Sequence, residues 1–378
     1  MRFKIIAVGA AGGKCAIDLI ENNVVEKDDV LLINSTIKDI PLAYRDNAIR
    51  LSDTVQGCGQ ERALAKQICL EAIKSGRLNL DTVMDPVHDK AIIITSTCGG
   101  TGSGASVIIA DYLKKIVNVE VEVISLVGFE DESARSLRNL IEFCQDLEDN
   151  YSIQLIRNSA FLSSTRGNRS AAEVEANKEV VRRIKVMTGV MLRDSVQNID
   201  NTDIVKLNNT TGYKTVEYKE VTDKIRNVEQ FNSILTDMLD NSAMIEPNAS
   251  GVGRLGVIMN LQTTSQAFID RSFEVLKERL GVPYEVYTHL EYCEDLPEFV
   301  AFIASGMKMP AKEIQNIYDK YTELSNAVNK NKDEFFSNIK ELRGNENDAM
   351  FDSFDSVETV KKVDTSAAKD AFFKAYEN

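Results

Sequence analysis

The sequence predicts an α/β protein: a parallel, doubly wound first half, a long central helix, a second and smaller α/β domain, and a C-terminal helix with a tail. Three observations lead there. Short apolar runs alternate with helix-period segments from Lys4 to Leu147. Glycine-rich turns follow two of those runs. One long amphipathic stretch then separates this region from a second set of strands. A length of 378 residues exceeds a single ordinary core, and 43% apolar with 27% charged residues is the balance of a folded globular chain.

Taken in order, Lys4–Val8 reads as a strand, then a glycine turn and the helix Lys14–Asn22. Val30–Asn34 is a second strand and Glu61–Ser75 a helix. Ala91–Thr95 is a third strand, apolar almost throughout, as expected when both sheet faces are covered. A glycine loop, the helix Ser106–Ile116, the strand Val119–Val127 and the helix Ser133–Leu147 follow. Asn168–Gln197 reads as one helix because Val180, Ile184, Met187 and Met191 fall on one stripe, with Gly189 a mild cost inside it. Beyond it, Gly253–Leu261, Tyr284–Leu290 and Glu298–Ser305 read as strands, with helices near Val228–Leu239 and Ala267–Leu280. Ala311–Leu342 is a further helix, and the residues from Gly344 form an acidic, polar tail with a short helical pattern at Ala367–Tyr376.

Composition narrows the function. The six cysteines are scattered with no C-x-x-C pair, which favours buried reduced thiols over zinc or disulfides. Two histidines are too few for a three-histidine metal site and leave few candidates for a histidine-based triad. A net charge of −14 argues against direct nucleic-acid binding, so any link to DNA is expected through a basic partner. No apolar run reaches the length of a membrane span and no signal-peptide pattern precedes the first strand, so a cytoplasmic protein is expected.

The strongest chemical signal is Ile92–Ala105, in which a strand leads through Gly99, Gly100, Thr101, Gly102, Ser103 and Gly104 into a helix. Glycines let backbone approach a phosphate, the two hydroxyls add donors, and a helix N-terminus offers orphan N–H groups with a favourable dipole. The segment Gly9–Lys14, with Gly12 and Gly13, makes a similar strand-to-helix turn. It is not a P-loop, because Val8 stands where the first glycine belongs and Cys15 where Ser or Thr is needed, and it does not fit G-x-G-x-x-G either.

The run Gly99–Gly104 resembles the G-G-G/T-G-T/S-G signature of the tubulin/FtsZ superfamily, and the order of elements resembles that family from about residue 3 to residue 310. The resemblance implies that this run holds the phosphates of GTP or GDP. It assigns further nucleotide contacts to Gly12, Gly13 and Lys14, the last standing where FtsZ-like proteins usually carry Asn. Asn34, in Asn34-Ser35-Thr36, is similar to an Asn-Thr-Asp segment of FtsZ but lacks its acid. Gly57 and Gly59 precede a helix and would close over the γ-phosphate. Asp131 and Arg135 resemble the loop that holds ribose and phosphate, and Asn177 on the central helix would pair with the guanine edge through its amide.

The second motif, Asn198-Ile199-Asp200-Asn201-Thr202-Asp203, matches N-x-D-x-x-D, the loop with which one FtsZ or TubZ subunit completes the GTPase site of its neighbour. On that resemblance Asn198, Asp200 and Asp203 are catalytic. Asp200 and Asp203 would orient the attacking water and hold Mg²⁺, directly or through water. Head-to-tail stacking would then complete each site and build a filament, a homopolymer whose hydrolysis is linked to assembly.

The implied organisation is a GTP-binding domain over residues 1–167, the central helix 168–197, a GTPase-activating domain 198–310, a C-terminal helix 311–343 and the tail 344–378. Because Ala371–Tyr376 lacks the proline-containing terminal peptide of FtsZ, the chain is most similar to TubZ and the phage tubulins. The function expected from this is plasmid or phage DNA segregation through a DNA-binding adaptor at the tail. A phage spindle tubulin, an FtsZ-type division protein and a non-hydrolysing relative that keeps the fold compete within the class. A Rossmann-type dinucleotide enzyme competes from outside it, against the missing G-x-G-x-x-G.

Overall fold

The computed structural model describes residues 1–147, 150–189, 199–222, 225, 227–247, 251–262 and 266–343. In the first half, strands β1 (Phe3–Val8), β2 (Val30–Asn34), β3 (Ala48–Arg50), β4 (Lys90–Ser96), β5 (Val121–Val127) and β6 (Ser152–Arg157) alternate with helices α1 (Gly9–Glu21), α2 (Arg62–Lys74), α3 (Gly100–Tyr112) and α4 (Ala134–Leu147). Helix α5 (Arg169–Thr188) follows, then α6 (Asn201–Asn209), β7 (Gly212–Glu220), α7 (Val228–Asp240), β8 (Val252–Asn260), α8 (Gln266–Leu280), β9 (Pro283–Glu291), β10 (Phe299–Met307) and α9 (Ala311–Arg343).

All ten strands belong to one sheet in the order β3-β2-β1-β4-β5-β6-β7-β10-β8-β9. The first six are parallel, with β1 between β2 (Ile5 opposite Val30) and β4 (Phe3 opposite Lys90). This is the doubly wound order, and it reverses at the β1/β4 boundary, where ligands bind in such sheets. β7 of the second half pairs with β6 through two rungs, Ser152 opposite Gly212 and Ile153 opposite Tyr213. Above those rungs, backbone bonds from Arg157 to Ala243 and from Ile245 to Leu155 cover the β6 edge. β10 is antiparallel to β7 and β8, which returns β8 and β9 to the direction of the first half.

Most of the buried apolar residues described form one cluster that spans both halves. The edge strands differ: β3 has three residues, whereas β9 has nine and leaves Tyr284 and Val286 exposed along its start. Among the described residues no helix is long and apolar enough to cross a membrane.

Two expectations change. Both glycine turns are helical: α1 starts at Gly9 and α3 at Gly100, several residues before the apolar periodicity begins. Glycine disfavours helices, but tertiary packing overrides that here. A Cβ on Gly12 would lie 2.2 Å from the Ile94 carbonyl oxygen, one on Gly102 2.8 Å from Thr95 Oγ1, and one on Gly104 2.5 Å from the Arg62 carbonyl oxygen. The central helix, read through Gln197, is observed as Arg169–Thr188 and ends on Gly189, which takes a left-handed conformation with φ 70°. Residues 190–197 and the tail 344–378, including Ala367–Tyr376, lie outside the described residues.

Helix α9 turns back over the first half. Ile314 and Ile317 pack against the core, and Lys320 donates to the Glu130 carbonyl in the loop after β5.

Candidate functional site

At the carboxyl ends of β1 and β4 three helix N-termini, those of α1, α2 and α3, come together without side-chain caps and with no acid in the first turn. Elsewhere the chain does cap: Asn168, Asp200 and Asn227 accept from backbone N–H groups at the starts of α5, α6 and α7. Each uncapped start leaves orphan N–H donors and the positive end of a dipole, which suits an anion. Gly9, with φ 79°, lets the α1 turn approach α3 so closely that a Cβ there would lie 3.0 Å from the Gly102 nitrogen.

The glycines divide into two groups. Gly100, Gly102 and Gly104 face protein, Gly100 against Cys58 Cβ at 2.8 Å. Ser103 is buried and its hydroxyl donates to the Gly99 carbonyl, so it does not reach outward. What this run offers a ligand is therefore backbone N–H. At Gly13, Gly57, Gly59 and Gly99 an added Cβ would meet nothing within 4 Å, so open space lies beside them.

A cavity of about 210 Å³ adjoins α1, walled by Gly13, Lys14, Asp18, Asn34, Asp39 and Pro41. Asn34, at the end of β2, accepts from the Ser35 N–H at 2.9 Å, and Ser35 Oγ lies 3.0 Å from Thr101 Oγ1, tying β2 to the first turn of α3. Asn177 of α5 is buried against α1, where its Oδ1 accepts from Cys15 Sγ at 3.0 Å. Asp18 also bonds Asn177; burial raises its pKa, while the Asn177 bond opposes the rise. Sequence reasoning missed Asp18, although its spacing of four from Lys14 puts both on one helix face.

The loop holding Gly57 and Gly59 lies over the start of α3. Asn139 of α4 pins it, donating to the carbonyls of Gln60 at 3.0 Å and Cys98 at 3.4 Å. Burial, with Glu132 nearby, pushes the Cys98 thiol up to about 11, so it is neutral at pH 7. Arg135 pairs with Glu61 at 3.2 Å and Asp131 with Arg169, whose guanidinium lies 4.8 Å from the Phe129 ring centre. These pairs are solvent-exposed and contribute little, so a phosphate could take the place of the carboxylate on either arginine. Asn139 and Arg169 are further residues that the sequence did not flag.

Asp200 and Asp203 stand elsewhere. Helix α6 sits at the amino ends of the parallel strands: its Asn208 carbonyl accepts from Lys90, the first residue of β4. β4 alone, at about 3.3 Å per residue, separates that end from the α3 N-terminus by roughly 20 Å. Asp200 is the α6 N-cap, its Oδ1 accepting from the Asp203 N–H at 2.8 Å, and Asp203 pairs with Lys206 at 3.3 Å. Asn198 lies outside the described residues. Among the described residues no three His, Cys, Asp or Glu side chains gather to hold a metal. The pair Asp200 and Asp203 suits Mg²⁺, which keeps waters and takes one or two carboxylates beside phosphate oxygens.

No family model matches the chain. It is 22% identical over 212 residues to the cell division protein FtsZ of Aquifex aeolicus, covering 54% of this chain and 55% of that protein. It is 24% identical over 239 residues to the tubulin-like protein CetZ1 of Haloferax volcanii, covering 58% and 59%. These matches thus span less than two thirds of either relative's length. Among solved structures, CetZ2 of Haloferax volcanii in a GTPγS-bound protofilament aligns with a TM-score of 0.72 at 17% identity, over 87% of this chain and 100% of that one. TubZ of Bacillus thuringiensis serovar israelensis in a GTPγS-form protofilament gives 0.71 at 14% identity, over 89% and 94%. The chain shares the fold of these tubulin/FtsZ-superfamily proteins and is similar in sequence to both FtsZ and CetZ.

Proposed function

We propose that this protein binds GTP across the N-termini of α1, α2 and α3 and hydrolyses it only within a head-to-tail filament. The observation that carries the reading is the separation of the two halves of the site: uncapped helix starts at the carboxyl end of the sheet, Asp200 and Asp203 at its amino end. One chain cannot bring them together, but stacking a second copy in the same orientation does, and such a heterologous contact repeats without closing.

In this reading the backbone N–H groups of Gly99–Gly104 and Gly12–Gly13 take the phosphates, with Lys14 adding a positive charge. Asp18 and Asn177 face the base, where a carboxylate and an amide oxygen suit the donor edge of guanine. Asn198, Asp200 and Asp203 of the next subunit orient the attacking water. Asp200 and Asp203 would hold Mg²⁺, directly or through water, and the ion would supply positive charge against the phosphates. Phosphoryl transfer needs little more than this positioning, which is why no strong base is required.

The test is direct: filaments imaged with GTP and with ATP, and phosphate release measured across protein concentrations. Filaments with GTP and a critical concentration for hydrolysis support the reading. Hydrolysis proportional to protein concentration, without polymer, refutes it. For the biological role we favour movement of plasmid or phage DNA by way of a basic adaptor on residues 344–378, because a net charge of −14 disfavours direct DNA contact. Deleting those residues should leave filaments intact and abolish adaptor capture.

A further inference from the structure

The amino end of the sheet holds a charge cluster that nucleotide binding does not use. Glu122 of β5 is fully buried, and its Oε2 accepts from Lys90 of β4 at 2.8 Å and Lys214 of β7 at 2.7 Å. Its Oε1 accepts from Gln154 of β6 at 2.6 Å. Both lysines are themselves buried, and both also donate to the carbonyl of Asn208, near the C-terminal end of α6, Lys214 at 3.0 Å. Asn208 in turn donates through Nδ2 to the Met187 carbonyl at 2.9 Å, at the end of α5.

Lys90 and Lys214 share one buried carboxylate, and burial lowers the Lys214 pKa to about 7 against the pull of Glu122, so the second lysine is only partly balanced by a side-chain charge. The backbone group that meets them is the Asn208 carbonyl, at the negative end of α6. Asn208, through its carbonyl and for Lys214 also its Oδ1 at 3.3 Å, thus supplies the remaining acceptors of the two lysines, and α6 cannot slide without breaking these buried bonds. The helix is also held sideways, since Leu207 packs where a Cβ on Gly256 would stand, 2.7 Å away. Its nine residues form a rod of about 13 Å at 1.5 Å per residue, with Asp200 as the cap at the far end.

We infer that Lys90, Glu122 and Lys214 are positioning residues for hydrolysis: by clamping the C-terminal end of α6 they fix where its N-terminal end presents Asp200 and Asp203 to the neighbouring subunit's nucleotide. The inference rests on the reading that those aspartates act on the next subunit. It assigns the cluster a task beyond stability, joining β4, β5, β7 and α5 to the catalytic loop.

The experiment uses the full chain carrying Lys214→Met, which leaves a neutral Lys90–Glu122 pair. GTP affinity and critical concentration should stay within about twofold, while turnover per polymerised subunit at saturating GTP falls at least tenfold; a misplacement of about 1 Å can cost on the order of 100-fold. A purely structural cluster would instead lower thermal stability and raise the critical concentration with turnover per polymerised subunit unchanged, and that result overturns the inference. If Lys214→Met does not fold, Asn208→Ala, which removes the bonds to Met187 and to Lys214 through Oδ1, should lower turnover at least threefold; unchanged turnover there also overturns it. Asp200→Asn is measured alongside. Full turnover in Asp200→Asn means that the functional reading itself has failed. Lost turnover in Asp200→Asn with full turnover in Lys214→Met means that only the positioning inference has.

Discussion

Gly13 and Gly104 should respond in opposite directions to the same substitution. Both lie inside helices, α1 and α3, and neither has positive φ. An alanine in a helix interior gains about 1 kcal/mol over glycine from backbone entropy. At Gly13 no atom lies within 4 Å of the new Cβ, so most of that gain should appear, about 0.5–1 kcal/mol of added stability. At Gly104 the Cβ would meet the Arg62 carbonyl oxygen at 2.5 Å and Ala65 Cβ at 2.8 Å, so α2 and α3 must part by the better part of an ångström. Overpacking of this kind costs about 1–3 kcal/mol, which outweighs the helix gain and leaves a net loss of roughly 1 kcal/mol. Urea unfolding of the nucleotide-free chain, at unchanged m value, measures both. The stabilised Gly13→Ala should nonetheless bind GTP at least tenfold more weakly, because its methyl enters the cavity beside Lys14 and Asn34. Stabilisation by Gly104→Ala, or wild-type GTP affinity in Gly13→Ala, would refute the division of glycines into packing and ligand-facing sets.

Three further outcomes are expected. Asp200→Asn keeps the α6 cap, since Asn caps as well as Asp, so the chain should fold, bind GTP and polymerise while phosphate release per subunit drops at least about 100-fold. Asp18→Asn should narrow the preference for GTP over ATP at least tenfold in competition binding; an unchanged ratio removes Asp18 from the base site. Glu122 is pushed up by burial but pulled down further by Lys214 and Lys90, from 4.5 to about 2, so the stability it contributes is present above pH 4.5 and lost as pH falls towards 2. Glu122→Gln, which leaves the buried Lys90 without its carboxylate partner, should cost about 3–5 kcal/mol at pH 7 and remove that acid limb from the stability profile.

The strands legible in the sequence are those with an uninterrupted apolar run, Ala91–Thr95 above all; β6 is as buried but is not legible, because Ser152, Gln154 and Arg157 break its run. β7 is not legible, because Lys214 and Glu217 look like solvated residues. They are interior, made tolerable by partners distant in sequence, Glu122 for one and Arg183 for the other. α6 is hidden for a related reason. Asn201–Asn209 is short and polar, and its Asp200 cap reads only as chemistry, although capping and chemistry both use a carboxylate at a helix start. The glycine segments are legible as a strand-to-helix junction but not as helix, because what favours helix there is the approach of Ile94, Thr95 and Arg62, which no local propensity reports. Asp18 and Asn139 act through contacts across elements and leave no motif.

The unequal edges of the sheet bear on how copies can adhere sideways. Neighbouring strands turn by about 20–25°, so ten strands accumulate roughly half a turn and the β3 and β9 edges face in different directions. β3 offers three residues, too few to template a partner strand, while β9 offers nine, with Tyr284 and Val286 exposed. The tendency towards unwanted strand pairing is thus confined to one flank, and a charged residue at Tyr284 is the change that would suppress it.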